Sequence, residues 1–278
     1  MKTPEKSTQS PGFSVAGHRV EAERLPPGLH IVATPIGNLG DMTLRGLATL
    51  AAADAVLAED TRVTSTLLAH YGVTTPLSPY HEHNAARVRP GLLARLKEGA
   101  TLALVSDAGT PLVSDPGFKL VEEAIAAGVP VHAAPGASSV LAALVVAGLP
   151  TDRFFFEGFL PARSAARRQR IAELAAIPGT LVFFESPRRL GECLADLSAV
   201  LGARNACVAR ELSKRFEETR RGKLAELASE YAAEEPRGEI VLLVGPPEEG
   251  AEKPLDLDTD RKSTRLNSSH IPLSRMPS

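Results

Sequence analysis

Four short loops hold the residues of this chain best suited to chemistry. The first, TPIGN (residues 34–38), sets Pro35, Gly37 and Asn38 directly after an apolar run. The second, VSDAGTPLVSDPG (105–117), places Ser106 and the carboxylate of Asp107 beside Ala108 and Gly109. The third, APGASS (134–139), opens a helical pattern with the hydroxyls of Ser138 and Ser139, and the fourth, FFESPRR (183–189), runs from Phe184 and Glu185 into Arg188 and Arg189. Glycine and alanine let a ligand approach the backbone closely, while hydroxyls and a carboxylate supply hydrogen-bond partners. No GxxxxGK[ST] or GxGxxG occurs, so these loops do not read as phosphate cradles. They suit a flat, polar molecule such as a nucleoside without phosphates, with backbone groups for its base and a carboxylate for its ribose hydroxyls.

Each loop follows a predicted strand. Short continuous apolar runs at 29–33, 55–58, 101–105 and 129–133 alternate with helical patterns at 44–52, 84–97 and 116–127. Strands apolar on both faces, separated by helices, imply a mostly parallel sheet covered on both sides. The third helix has a start signal in Asp115 as N-cap with Pro116 after it, and Gly128 stops it. In a parallel sheet the loops after strands gather at the carboxyl edge, where open α/β folds bind ligands. A helix at 138–147 ends at Gly148-Leu149-Pro150, the expected boundary. A second set follows, with strands at 154–156, 180–184, 206–209 and 240–244 and helices at 164–176, 189–201 and 222–231. The expected fold is α/β, with two α/β domains at 28–149 and 150–247 joined by a short hinge. Residues 1–27 read as a flexible leader and 248–278 as a disordered, non-native tail.

The 278 residues are 44% hydrophobic and 23% charged, which fits a globular chain, and the net charge of −2 gives no bulk attraction to nucleic acid. That near-neutrality conceals an asymmetry. Residues 28–148 hold 7 Lys and Arg against 10 Asp and Glu, whereas 153–223 hold 14 against 8. The basic stretch suggests a large anionic substrate lying across the second half. Cys193 and Cys207 match no zinc spacing and read as buried small hydrophobes in a reducing compartment; no metal site is expected. No apolar run of about 18 residues appears, so no membrane partner is expected and the location reads as cytoplasmic.

Taken in order, VATPIGNLGD, AEDTR, YHEHN, VSDAGTPLVSDPG, PGASSVLAALVVAGLP, FFFEGFLP and FFESPRRL closely resemble the ribosomal RNA small-subunit (cytidine-2′-O)-methyltransferase family, within the tetrapyrrole-methylase superfamily. The resemblance covers residues 28–247. It implies a homodimer of two-domain subunits, S-adenosylmethionine in the cleft between domains, and methylation of a cytidine ribose in the ribosome's decoding region. By position, Pro35, Gly37, Asn38, Ser106, Asp107, Ala108, Gly109, Ser138, Ser139 and Phe184 become cofactor residues. The ribose hydroxyl needs a proton acceptor, for which Glu185 ranks first, before His81 and His83. RNA contact falls to Arg163, Arg167, Arg168, Arg170, Arg188, Arg189, Lys214 and Arg215, through phosphates rather than stacking, since aromatics are few. Two alternatives remain: methylation of a corrin or other small acceptor, and a non-catalytic RNA-binding assembly protein.

Overall fold

The computed structural model describes residues 10–113, 117–233 and 235–247. The expected start of the third helix at Asp115 and Pro116, and the tail from residue 248, lie outside them. The described residues pack as one unit, built around two five-stranded sheets.

The first sheet uses β3 (Gly28–Val32), β4 (Ala55–Ala58), β5 (Leu77–Pro79), β6 (Thr101–Val105) and β7 (Val131–Ala134), in the order β5-β4-β6-β3-β7, all parallel. Because successive side chains face opposite sides and both sides are covered, β3, β4 and β6 are buried along their whole length, with His30 and Thr101 their polar members. Val32, Val56 and Val105 pack with Leu47 and Leu50 of α1 (Leu44–Ala52) and Leu67 and Leu68 of α2 (Thr61–His70). On the other face Leu29, Leu57 and Leu104 pack against α3 (Glu82–Lys97) and α4 (Phe118–Ala126) through Leu92, Leu96 and Leu120.

The leader departs from expectation. Gly12–Val15 (β1) and His18–Glu21 (β2) pair as an antiparallel hairpin, and Phe13 is buried in the core beside α1. The turn Ala16-Gly17 takes positive φ at both positions, the geometry of a tight hairpin. A single buried phenylalanine in a polar segment leaves no periodicity to read, which is why this hairpin escaped the pattern.

The second sheet uses β8 (Phe154–Phe159), β9 (Thr180–Glu185), β10 (Asn205–Arg210), β11 (Glu218–Lys223) and β12 (Ile240–Val244), in the order β11-β10-β12-β9-β8. Only β8 and β9 are parallel; the other pairings are antiparallel. One face buries Leu181, Phe183, Val208 and Leu242 against α6 (Ser164–Leu174), α7 (Leu190–Leu201) and α8 (Leu224–Ala233). The opposite face, with Val182, Cys207, Ala209, Val241 and Leu243, packs on α5 (Ser139–Ala147) through Val140, Ala143 and Leu144. That helix follows β7, so it joins the two lobes. Strand β11 was not expected, because ETRRGK is charged along its length; as an edge strand it pairs through Lys223 and delays α8 to Leu224. Helix α2 was also missed, since its three threonines are weak helix formers, but Asp60 accepts the Arg62 N–H at 2.8 Å and caps it.

Candidate functional site

Three loops of the first lobe are tied into one surface. Thr34 and Gly109 exchange backbone hydrogen bonds at 2.8 and 3.0 Å, and the Thr34 hydroxyl donates to the Ser106 carbonyl at 3.1 Å. Thr110 donates to the Ala137 carbonyl at 3.1 Å, joining the second loop to the third. At Gly109, φ is +81° and an added Cβ would sit 3.3 Å from Ile36, so the position favours glycine on both counts.

A hollow of about 390 Å³ lies between this surface and the second sheet. The first lobe lines it with Ile36, Ala108, Gly109, Thr110, Ser138 and Ser139; the second contributes Phe159, Phe184, Ala209, Leu212, Glu239 and Val241 among others. Among the described residues that line it, none is Lys or Arg. The described walls are therefore largely apolar, with hydroxyls and backbone at one side and the carboxylates of Glu185 and Glu239 at the other, and no described cation lines them.

Of the expected cofactor residues, Ala108, Gly109, Ser138, Ser139 and Phe184 border the hollow, and Pro35, Gly37, Asn38, Ser106 and Asp107 do not. Ser106 is buried, 3.3 Å from the Ala108 and Gly109 carbonyls. The Asn38 side chain accepts the Gly40 N–H at 3.0 Å and opens a short 3-10 turn. Gly37, at φ +136°, leaves room for the Lys214 stem, which a Cβ would meet at 2.4 Å. Phe184 stacks edge-on with Phe156 and Phe159 and presents an aromatic wall. Thr110, Ala209, Leu212 and Glu239 were not anticipated; the second lobe's lining residues carry no loop signal because they come from strand faces and strand ends.

Asp107 corrects the ribose expectation. Its carboxylate turns toward β4 and accepts the Asp60 N–H at 3.0 Å. Parallel pairing of Ala58 with Pro79 and Val105 carries this alignment onward, so Asp60 lies between His81 and Asp107 at the sheet's carboxyl edge. On this shelf burial and the nearby Asp107 charge push the Glu59 carboxyl up, Asp60 and Glu82 add to the rise, and His81 opposes it. Hydrogen bonds from Arg62 hold Asp60 at about 2. His81 and His83 open α3 with their rings 6.0 Å apart.

Glu185 borders the hollow as expected, but its carboxylate is already engaged. Phe184 faces the hollow, so alternation turns the next side chain toward α7. The Glu185 carboxylate is fully buried, accepts from Ser186 N at 2.7 Å and from Arg189 Nη2 at 3.2 Å. Burial, with Glu185 close by, pushes the Cys193 thiol well up, which puts the carboxylate on the helix side. Held by Ser186 N and Arg189, the carboxylate braces the turn that closes that side of the hollow.

The arginine list divides sharply. Arg167 is a second correction: at 1% exposure it is buried, donating to Asp196 at 2.7 Å and to the Ala162 carbonyl at 3.1 Å. Arg168 shares Asp196, and Arg170 bonds Glu157 and Glu173. Arg189 donates to the Leu160 carbonyl at 2.8 Å as well as to Glu185. Lys214 sits between Glu211 and Glu239. Arg188 has a side chain 91% exposed with Glu235 no nearer than 3.8 Å, and Arg163 and Arg215 are also exposed.

Residues 28–228 match the family model of tetrapyrrole (corrin/porphyrin) methylases. The chain belongs to that family. It is 55% identical over 241 residues to "Ribosomal RNA small subunit methyltransferase I" of Mesorhizobium japonicum, covering 86% of this chain and 82% of that protein. The protein of the same name in Pseudomonas aeruginosa is 51% identical, with 78% of each chain covered. Among solved structures, a cobalt precorrin-4 methyltransferase of cobalamin biosynthesis superposes with a TM-score of 0.60 at 21% identity, covering 78% of this chain and 94% of that one. A uroporphyrin-III C-methyltransferase of Thermus thermophilus, complexed with S-adenosylhomocysteine, gives 0.53 at 23% identity over 78% and 97%. At such identities the likeness to these family members is one of fold. Among the described residues no helix is long and apolar enough to cross a membrane.

Proposed function

We propose that the protein transfers a methyl group from S-adenosylmethionine to the ribose 2′-hydroxyl of a cytidine in the decoding region of small-subunit ribosomal RNA. The hollow carries this reading. Its volume suits one nucleoside with a short side chain, its largely apolar walls and Phe184 suit an adenine and a thioether stem, and its described lining residues include no cation for a phosphate. The names of relatives at about half identity supply the acceptor class.

Bound there, S-adenosylmethionine supplies a methyl already activated by its sulfonium. The protein's part is alignment, worth roughly 7–11 kcal/mol when the reacting atoms are held in line. Ala108 and Gly109 offer backbone groups at close approach, and Ser138 and Ser139 add hydroxyls at the start of α5. The acceptor hydroxyl must lose its proton, and a positioned base contributes about 10²–10⁴-fold. The candidates are Glu185, which borders the hollow but is held by Ser186 N and Arg189, and His81 and His83, which stand outside its lining. The two histidines stand at the carboxyl edge that also holds Asp107, whose neighbour Ala108 borders the hollow. Arg163, Arg188 and Arg215 are the exposed members of the set and would meet RNA phosphates. The family resemblance and the exposed Leu141 and Val145 on α5 support a homodimer, which sedimentation velocity tests. A cytoplasmic location goes with this substrate.

The deciding experiment is mass mapping of ribose methylation on small subunits from cells lacking the protein, incubated with it and S-adenosylmethionine. A single new 2′-O-methylcytidine is expected. Methylation only of a corrin, or of no acceptor, overturns the reading.

A further inference from the structure

We propose that Glu239 is the carboxylate that holds the adenosine half of the cofactor, through the ribose hydroxyls or the exocyclic amine. This rests on the reading of the hollow as the S-adenosylmethionine site. Glu239 precedes β12, and alternation puts it on the face of Val241 and Leu243, the face turned toward α5 and the hollow. Of the other two carboxylates near the hollow, Glu185 has both oxygens bonded, to Ser186 N and Arg189, and Asp107 is bound to the Asp60 amide. The Glu239 side chain is 75% exposed. Its Oε2 lies 3.1 Å from Lys214 Nζ, and among the described residues Oε1 meets no donor.

The surroundings hold this carboxylate in place. Antiparallel pairing of Arg210 with Ile240 brings Glu211 opposite Glu239, and Glu211 N donates to the Glu239 carbonyl at 2.9 Å. Like charges opposed across a ladder destabilise a sheet, and Lys214 bridges both carboxylates, 2.8 Å from Glu211. Glu211 in turn accepts the Glu239 N–H at 2.9 Å and lies across Gly238, where a Cβ would meet it at 2.4 Å. Glu211 and Ser213 both adopt positive φ, 52° and 66°, conformations that non-glycine residues keep only where the surroundings enforce them. The Lys214 stem rests on Gly37, and the Ser213 hydroxyl donates to Asp41, so the turn reaches the first lobe. Strain, a like-charge pair and two glycines converge on one carboxylate at the edge of the hollow.

Calorimetry on the full chain tests this with three ligands: S-adenosylhomocysteine, 5′-methylthioadenosine, which lacks the amino-acid end, and S-inosylhomocysteine, which lacks the exocyclic amine. Glu239→Gln should weaken the first two alike, by about tenfold, as removal of a hydrogen bond to a charged group does. If the loss persists with S-inosylhomocysteine, the ribose hydroxyls are the partners; if it vanishes, the amine is. Either result supports the assignment. Unchanged affinity for 5′-methylthioadenosine overturns it, whether or not S-adenosylhomocysteine binding falls. Glu239→Ala, with its melting temperature recorded, guards against a folding artefact. Failure of the wild-type chain to bind S-adenosylhomocysteine at all would sink the reading of the hollow instead.

Discussion

The two lobes face the same hollow but hold their charges in different ways. In the first, parallel strands send Thr34, Ser106 and Ala134 toward one edge, and the loops behind them line the hollow with backbone and small side chains. Its acids collect on a shelf, where Glu59 faces Asp60, Glu82 and Asp107. In the second, most pairings are antiparallel, and cations are matched to carboxylates: Arg167 and Arg168 to Asp196, Arg170 to Glu157, Arg210 to Glu218, Lys214 to Glu239. A stretch that is basic by composition is therefore largely consumed by its own fold. Net charge along a chain does not measure what is left for a partner.

The largest test of this contrast is Asp196→Asn. Burial alone pushes the Asp196 carboxyl up, but hydrogen bonds from Arg168, Arg167 and Ser164 outweigh it and hold it below its ordinary 3.8. Removing the charge leaves Arg167 buried beside a neutral amide, at a cost of about 3–5 kcal/mol. Urea unfolding at pH 7 reads the loss. Because the folded pKa is depressed, the pair's contribution is present above 3.8 and fades as pH falls through the lower folded value. Were Arg167 an RNA ligand instead, Asp196→Asn would leave the urea midpoint where it is.

Next in size is Ser139→Trp. The hydroxyl borders the hollow at the start of α5, and an indole there occupies the space the cofactor needs. Affinity for S-adenosylhomocysteine should fall by about a hundredfold, roughly 2.7 kcal/mol, with the melting temperature within a few degrees of wild type. Retained affinity would place the ligand elsewhere, and the first lobe would lose its claim as a wall of the site.

Arg188 and Arg189 are neighbours in sequence that the fold treats differently. Arg188→Ala should weaken binding to ribosomal RNA about threefold to tenfold and lower the salt slope by about one, leaving stability intact. Arg189→Ala should instead lower stability by about 1–3 kcal/mol, through the orphaned Leu160 carbonyl and Glu185 carboxylate. Filter binding at two salt concentrations beside thermal melts separates them. Equal effects of the two variants on RNA would show that exposure does not sort these arginines.

How far the sequence reached also differs between lobes. The short, half-exposed edge strand β5 was not expected, but four of the first sheet's five strands were legible, because strands covered on both faces read as apolar runs and the loops between them stand out by composition. Its site loops were therefore visible, although Asp107 was given to the ribose when the register aims it at Asp60. In the second lobe, ligand-facing residues alternate with core residues along strands, so Phe184 and Glu185 look equivalent in sequence and point to opposite sides. Ala209 and Glu239 gave no signal, since one is an ordinary strand alanine and the other sits at a strand end among charges. The hairpin at residues 12–21 rests on one buried phenylalanine. Pairing partners such as Arg167 and Asp196 are 29 residues apart and meet only when α6 packs on α7.

The smallest effect concerns the shelf. Glu59 titrates above its ordinary 4.5 because burial and the charges of Asp107, Asp60 and Glu82 disfavour its ionised form, against the opposing pull of His81. A carboxyl whose folded pKa is raised binds its proton more tightly folded than unfolded, so ionising it weakens the fold. The penalty is absent below 4.5, grows as pH rises through the folded value, and is complete at neutrality. Glu59→Gln removes it, and solvent screening at this partly exposed site limits the gain to about 0.5 kcal/mol at pH 7.5. The gain should vanish by pH 4, where Glu59 is neutral in both states. Urea midpoints at the two pH values check the sign. In the second lobe the same exchange at Glu218, which Arg220 and Arg210 hold below its ordinary value, should destabilise at pH 7.5. A loss at both positions would mean that the shelf is paired like the rest, and the contrast between the lobes would fail.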